Sequence, residues 1–412
     1  MNKTRNLRIK DIFNVVSGAT PSSKVESFWD GDVIWVTPAD MTDFGYIESG
    51  SNNITLEGYN SCGTQYVPKG SIIISSRAPI GKINIAQNKL CTNQGCKSLV
   101  LSTKEVNSKY VAYYLYNVVE EINSLGQGTT FNELPLKRLV SFNVKLPSKD
   151  EQQRIVDYLD EKLSAIDKRV ENLEKQKNAY ARLKKSVIHQ AVTRGLNPNV
   201  RLKESGIEWI GQIPEHWDVK RIKDAFSINQ ATLPENTKGT YQFKYIDISN
   251  VSNEGYISLG EDVIFIEAPS RARRIIKKGD IVVSTVRTYL RAIALIDFDA
   301  ADVIVSTGFA VLTPKNFAKS NYMFYTLRDY YVVDAICSLS TGVSYPAIAA
   351  SRLASIDIIT PPLSEQEAIA NYLDEKCAKI DAAIENISKQ IDASKRLKRA
   401  LINEVITGHR AV

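Results

Sequence analysis

The strongest constraint on this chain is that it repeats itself: residues 151–193 realign without a gap on residues 365–407, 214 positions later. Glu-Gln, Tyr-Leu-Asp-Glu-Lys, Ile-Asp, Glu-Asn, Lys-Gln and Arg-Leu-Lys all recur in place. The repeat reaches more faintly into the flanks. RIKDIF at 8–13 returns as RIKDAF at 221–226, Gly45-Tyr46-Ile47 as Gly255-Tyr256-Ile257, and KGSIIISSR ending at Arg77 as KGDIVVSTVR ending at Arg287. Each half therefore reads as a variable globular domain followed by a helix, with segments 1–147, 148–196, 197–362 and 363–412.

In the first helix, apolar residues fall at Leu159, Leu163, Ile166, Val170, Leu173, Tyr180, Val187 and Ala191, with Lys177 and Lys184 as polar breaks. The second carries Leu373, Cys377, Ile380, Ile384, Ile387, Ile391, Leu401 and Val405 on the same frame, broken by Ser394 and Lys398. This 3–4 alternation is a coiled-coil seam. Two similar stripes in one chain most simply bury each other as an antiparallel intramolecular pair with a pseudo-two-fold repeat. A solvated spacer or a dimerisation zipper is the alternative reading. Ser148 with Glu151, and Ser364 with Glu367, match a capping box, while Gly195 and Gly408 are placed to stop the helices. About 45 residues at roughly 1.5 Å each would make a rod of roughly 65–70 Å.

The two globular parts lack long helical periodicity. Short β-branched runs such as Val33-Ile34-Trp35-Val36, Ile72-Ile73-Ile74, Ile281-Val282-Val283 and Val303-Ile304-Val305 are punctuated by Gly, Pro and Asn, which predicts α+β domains with loop-rich faces. Loops rich in Thr, Ser, Asn, Arg and Tyr on a rigid scaffold can reach base edges and phosphates. In the first domain the candidates are Thr20, Ser22, Lys24, Arg77, Asn93, Gln94, Thr129, Thr130 and Asn132. In the second they are Arg271, Arg273, Arg274, Arg287, Tyr289, Arg291, Thr341, Ser344 and Tyr345, the five arginines falling within residues 271–291. The helix region 175–203 also lacks acidic residues, which suits DNA phosphates and, equally, the helix dipole.

Composition narrows the chemistry. A net charge of +6 permits a nucleic-acid partner. Five cysteines (Cys62, Cys91, Cys96, Cys337, Cys377) without CxxC spacing argue against a disulfide framework or zinc cluster, and fit a reducing cytoplasm. No apolar run of eighteen residues suggests a membrane span, and no signal peptide is evident. No GxGxxG follows a strand, the stretch 58–64 (GYNSCGT) has Thr where a phosphate-loop lysine belongs, and Asn197-Pro198-Asn199 is no match to an Asn-Pro-Pro-aromatic methyltransferase motif. With only His189, His216 and His409, neither a histidine acid–base pair nor a histidine metal site is expected.

Several stretches carry a resemblance across the whole chain. LPSKDEQQRI at 146–155, PPLSEQEAIANYLDEK at 361–376, ESGIEWIGQIPEHWDVKRIK at 204–223 and WDGDVIWVTPADM at 29–41 resemble the specificity subunits of type I restriction-modification systems. The resemblance implies two target-recognition domains (1–147 and 197–362), each reading one half of a split double-stranded DNA target. It implies that the helical pair sets the gap and docks methylation subunits, with restriction subunits completing the complex. It also implies a non-catalytic chain without cofactor, S-adenosylmethionine, ATP and Mg belonging to the partners. Base-contacting residues are not carried across, because such loops vary with target. The competing class is a coiled-coil assembly scaffold whose domains bind protein.

Overall fold

Ile72, Ile73 and Ile74 are all fully buried, so the strand Ile72–Ser75 is covered on both faces and reads as a continuous apolar run instead of an alternation. Ile72 and Ile74 point into one core and Ile73 into another. The structure, a computed structural model, describes residues 4–77, 79–127, 132–207 and 210–412. It divides into two units, Met1–Leu173 with Lys389–Val412, and Glu174–Ser388.

In the first unit, Ile72–Ser75 lies in a five-stranded sheet ordered Phe13–Ser17, Cys96–Leu101, Ile72–Ser75, Ile83–Ala86, Phe44–Ile47. The strand Arg5–Arg8 pairs antiparallel with Asn143–Leu146 and so ties the start of the domain to the approach of the central helix. The core on the Ile72/Ile74 side takes in helix Ser108–Asn117, then Ile155, Val156, Leu159 and Leu163 from the start of the central helix, and Leu401, Ile402 and Val405 from the end of the C-terminal helix. The two long helices thus run antiparallel here. Each such buried leucine or isoleucine contributes about 1.5–3 kcal/mol.

The second unit repeats the plan. Asp218–Arg221 pairs with Asp357–Thr360, and a four-stranded sheet runs Phe226–Ile228, Phe309–Pro314, Ile281–Ser284, Ile293–Leu295. Ile281 and Val283 face a core that holds Ala191 and Val192 near the end of the central helix and Ile369, Ala370, Leu373 and Cys377 near the start of the C-terminal one. Val282 faces the opposite core. A second four-stranded sheet, Asp262–Ile264, Gln242–Ile246, Val303–Ser306, Ala272–Ile275, has as its counterpart among the described residues of the first unit the short parallel pair Trp35–Val36 and Cys91–Thr92.

The helices, Lys149–Arg194 and Leu363–Ile406, are joined to their domains by matched buried polar contacts. Gln152 is fully buried, accepts from the Asn107 backbone N–H (2.9 Å) and donates to the Pro147 carbonyl (3.0 Å). Its repeat, Gln366, accepts from the Lys319 N–H (2.8 Å) and donates to the carbonyls of Pro361 (2.7 Å) and Phe317 (2.9 Å). Tyr113 donates to Asp160 and Tyr325 to Asp374, each at 2.7 Å. These contacts explain the repeated Glu-Gln and Tyr-Leu-Asp-Glu-Lys sequences: they are the joints.

Along the seam Leu159, Leu163, Leu173, Leu373, Ile380, Ile387 and Ile391 are buried, and Ile166, Val170 and Ile384 half-buried. Two of the three lysines read as breaks, Lys184 and Lys398, are paired across it. Lys184 Nζ lies 2.6 Å from Asp381, and Lys398 Nζ 2.7 Å from Asp167, the same pair written twice. Ser148 Oγ accepts from the Glu151 N–H (3.3 Å), in keeping with a cap. The matching expectation at Ser364 fails: the second helix already starts at Leu363, and the Pro362 carbonyl accepts from Glu365 and Gln366, so Ser364 lies inside the first turn. Gly195 and Gly408 follow the helices at φ +75° and +78°, which glycine adopts without penalty. No helix among the described residues is long and apolar enough to cross a membrane.

Candidate nucleic-acid interface

In the first unit the strand Ile72–Ser75 delivers Ser76 and Arg77 to a junction of loops. The Ser76 N–H donates to the Gly95 carbonyl (2.7 Å), and its carbonyl accepts from the Leu134 N–H (2.8 Å). The segment around residue 19 joins them, Ala19 N–H donating to the Thr92 carbonyl (3.0 Å). The approach requires glycine at 18, where a Cβ would fall 2.1 Å from the Asn93 carbonyl oxygen. Candidate segments scattered over more than a hundred residues thus meet at one strand end.

The second unit builds the same junction. Thr285 N–H donates to the Gly308 carbonyl and its carbonyl accepts from Ile348 N–H, both at 2.8 Å. Asn93 Oδ1 accepts from Gly95 N–H (2.9 Å) where Ser306 Oγ accepts from Gly308 N–H (3.1 Å). Asp40 accepts from Thr37 N–H (2.8 Å) where Asn250 accepts from Asp247 N–H (2.9 Å). In this alignment Arg77 matches Val286, since the bridges Arg77–Glu133 and Val286–Ala347 are equivalent. The sequence echo of Arg77 in Arg287 is therefore one residue out of register.

Most of the first-unit candidates already have partners within the unit. Thr20 Oγ1 hydrogen-bonds Gln94, and the Ser22 carbonyl accepts from the Trp29 indole (3.2 Å). Asn93 spends its amide oxygen on the local turn. Arg77 lies 3.2 Å from Glu133. Lys24 and Asn132 are exposed, Asn132 close against Gly126. Thr129 and Thr130 lie outside the described residues.

In the second unit Arg271, Arg287 and Tyr345 share a concavity of about 500 Å³ with Tyr245, Asp247, Ser249 and Ser306. The Arg287 guanidinium lies 4.9 Å from the centre of the Tyr345 ring, which is 66% exposed. Arg287 and Arg291 flank the turn Thr288–Leu290 and both adopt left-handed backbone, at φ +51° and +54°. Tyr289 is exposed on that turn, Arg291 lies 3.8 Å from Asp334, and Ser344 sits exposed in the hairpin closed by Thr341 and Ala347. The five arginines are not one patch. Arg273 and Arg274 are half-buried on the strand Ala272–Ile275, the first 4.6 Å from the Phe265 ring centre and the second donating to Thr232 (3.2 Å). Tyr245, Asp247 and Ser249 were not singled out in the sequence. Their signal is the offset of 210 that relates Gly45-Tyr46-Ile47 to Gly255-Tyr256-Ile257, which also sets Trp35–Asp40 over Tyr245–Asn250.

Elsewhere, burial pushes the Cys91 thiol up to about 11 and Cys96 to about 12, leaving both protonated and unreactive at neutral pH. His189 meets a carboxylate: Nδ1 is 3.1 Å from Asp329 and Nε2 3.0 Å from the Tyr330 hydroxyl. Asp329 also accepts from the Tyr331 N–H (3.2 Å) at a helix start, so the histidine ties the central helix to the domain. Among the described residues no cluster of His, Cys, Asp and Glu could hold a metal.

The duplicated frame, two α+β domains each joined to an antiparallel helix pair and each presenting loops at the same strand end, defines a class of internally duplicated two-domain proteins. The family described as type I restriction modification DNA specificity domain matches residues 1–179 and 214–393, and the chain belongs to it: a specificity subunit of the type I restriction-modification systems, which recognise DNA targets. It is 26% identical over 98% of its length, and 93% of the relative's, to the type I restriction enzyme MjaIX specificity subunit of Methanocaldococcus jannaschii. It is 20% identical to the EcoDI specificity subunit of Escherichia coli, covering 76% of this chain and 72% of that one. A chain from a solved structure of a type I R-M system shares the fold at a TM-score of 0.67 and 14% identity, over 98% of this chain and 97% of that one.

Proposed function

We propose that each unit of this chain reads one half of a split DNA target, while the paired helices set the gap between the halves and hold the methylation subunits. The carrying observation is the matched junction: the same backbone hydrogen bonds at Ser76 and Thr285 support different side chains, as two readers of different base sequences require. Arg271 and Arg287 in one unit, Lys24 and Gln94 in the other, are the groups that would meet phosphates and base edges, while Arg77 is held by Glu133. On this reading the chain does no chemistry. Methylation subunits supply S-adenosylmethionine chemistry, restriction subunits use ATP and Mg, and the complex works on double-stranded DNA in the cytoplasm.

The test is long-read methylation mapping of DNA from cells carrying this chain with its neighbouring methylation and restriction genes, against cells lacking this chain alone. A split methylated motif that vanishes with the chain is expected. Methylation that persists unchanged would overturn the reading.

A further inference from the structure

We propose that Arg287 reads a guanine in the half-site bound by the second unit, its guanidinium fork donating to O6 and N7 in the major groove while the Tyr345 ring holds the fork in place. The inference rests on the DNA-reading role proposed above and adds which side chain reads and which base it reads.

Three independent features single out this arginine. The first is its backbone. A non-glycine residue in the left-handed region costs on the order of 1 kcal/mol, and here two arginines adopt it on either side of one turn. The turn is fastened from beneath: Thr288 is buried and its hydroxyl is 2.9 Å from Ser340 Oγ, while Leu290 N–H donates to the Arg287 carbonyl (2.9 Å) and Arg291 N–H to the Thr288 carbonyl (3.0 Å). That fixes the direction in which the Arg287 side chain leaves the surface.

The second feature is charge. Arg287 is exposed and has no ion-pair partner among the described residues, although Asp247 lines the same concavity. The Asp247 carboxylate is instead committed to Ser249, accepting from its N–H (2.8 Å) and its hydroxyl (2.6 Å). Arg77, in the first unit, has its charge met by Glu133 at 3.2 Å.

The third feature is the ring. Stacking on Tyr345 at 4.9 Å restricts a long side chain before DNA arrives, so less rotamer freedom is lost on binding. A phosphate contact needs only a point charge. A planar donor pair held by an aromatic face suits the two acceptors on the major-groove edge of guanine. Arg271, exposed on the same concavity, is placed to take a neighbouring phosphate.

The experiment uses the full chain assembled with its methylation subunits, and duplexes of the mapped motif in which each guanine of both half-sites is replaced singly by 7-deazaguanine. That base keeps its pairing and loses only the N7 acceptor. One guanine should prove sensitive, weakening binding by about tenfold. The Arg287→Met complex, which keeps the length of the side chain and loses every donor, should bind the native and that modified duplex equally while responding as the native complex does at every other position. Tyr345→Leu should fall between the two. The inference is overturned if no guanine is sensitive, if Arg287→Met retains the same sensitivity, or if it weakens all duplexes by the same factor, which marks a structural or phosphate role. A motif that vanishes without the chain, yet keeps its base preference in Arg287→Met, sinks this assignment alone and leaves the proposed function standing.

Discussion

Arg77 in the first unit and Val286 in the second occupy the same place at the end of the same strand, and the chemistry around them diverges at once. The first junction closes on itself: Arg77 faces Glu133, Thr20 faces Gln94, and Asn93 turns back on its own loop. The second opens around Arg271, Arg287 and Tyr345, with a four-stranded sheet behind it where the first unit has two short strands. The difference teaches that duplication preserved what holds loops and released what the loops present. Backbone hydrogen bonds and buried joints recur; exposed side chains do not.

The largest test of that contrast falls on the joints. Gln366→Ala would leave the Lys319 N–H and the Phe317 and Pro361 carbonyls without their partner, whereas Gln152→Ala strips only the Asn107 N–H and the Pro147 carbonyl. Both glutamines are fully buried. We expect losses of about 3 and about 2 kcal/mol respectively, read as urea midpoints followed by tryptophan fluorescence. Costs below about 0.5 kcal/mol at both sites would show the joints to be incidental to the fold.

Much of this was legible in the sequence because it is local. The gapless repeat at 214 announced two similar helices, and their 3–4 periodicity marked the stripe that Leu159, Leu163, Leu373 and Ile380 bury. What stayed hidden depends on contacts far apart in the chain. Lys184 and Lys398 read as interruptions of the seam because their partners Asp381 and Asp167 lie on the other helix. The concavity of the second unit forms only because Gln242–Ile246 pairs in parallel with Val303–Ser306, a crossover that no local pattern encodes. The one-residue slip between Arg77 and Arg287 has the same origin, since pairing follows strand register and not residue type.

The seam pairs give the next test, because they are the same pair in different surroundings. The Lys184 and Lys398 side chains are 18% and 15% exposed, but Asp381 is 35% exposed against 56% for Asp167. Asp381→Asn should cost about 1–2 kcal/mol and Asp167→Asn about 0.5–1 kcal/mol, with salt eroding the second more. Thermal unfolding at low and high ionic strength checks both, and an inverted order would break the comparison. At the junctions, Arg271→Ala should reduce the slope of log affinity against log salt by about 1, as for one lost phosphate contact, and Arg77→Ala should leave it nearly unchanged. Equal slopes would mean that Glu133 does not hold Arg77 back from DNA.

The smallest effect separates the two units by acid. The turn after Val36 is closed by a carboxylate, Asp40, and the equivalent turn after Ile246 by an amide, Asn250. Burial alone would raise the Asp40 carboxyl, but hydrogen bonds from Ser51 and Thr37 together hold it below its ordinary value. Because the folded value is depressed, the unfolded chain takes up this proton first as the pH falls. The stabilisation is therefore complete above the ordinary carboxylate range of about 4 and disappears as the pH falls through the lower folded value. Asn250 has no proton to gain. Acid unfolding monitored by amide exchange should show the Thr37 N–H losing protection at low pH and the Asp247 N–H, held by the Asn250 amide, keeping it, and Asp40→Asn should remove the difference. If Thr37 stays as protected as Asp247 down the same range, the carboxylate is not what closes the turn.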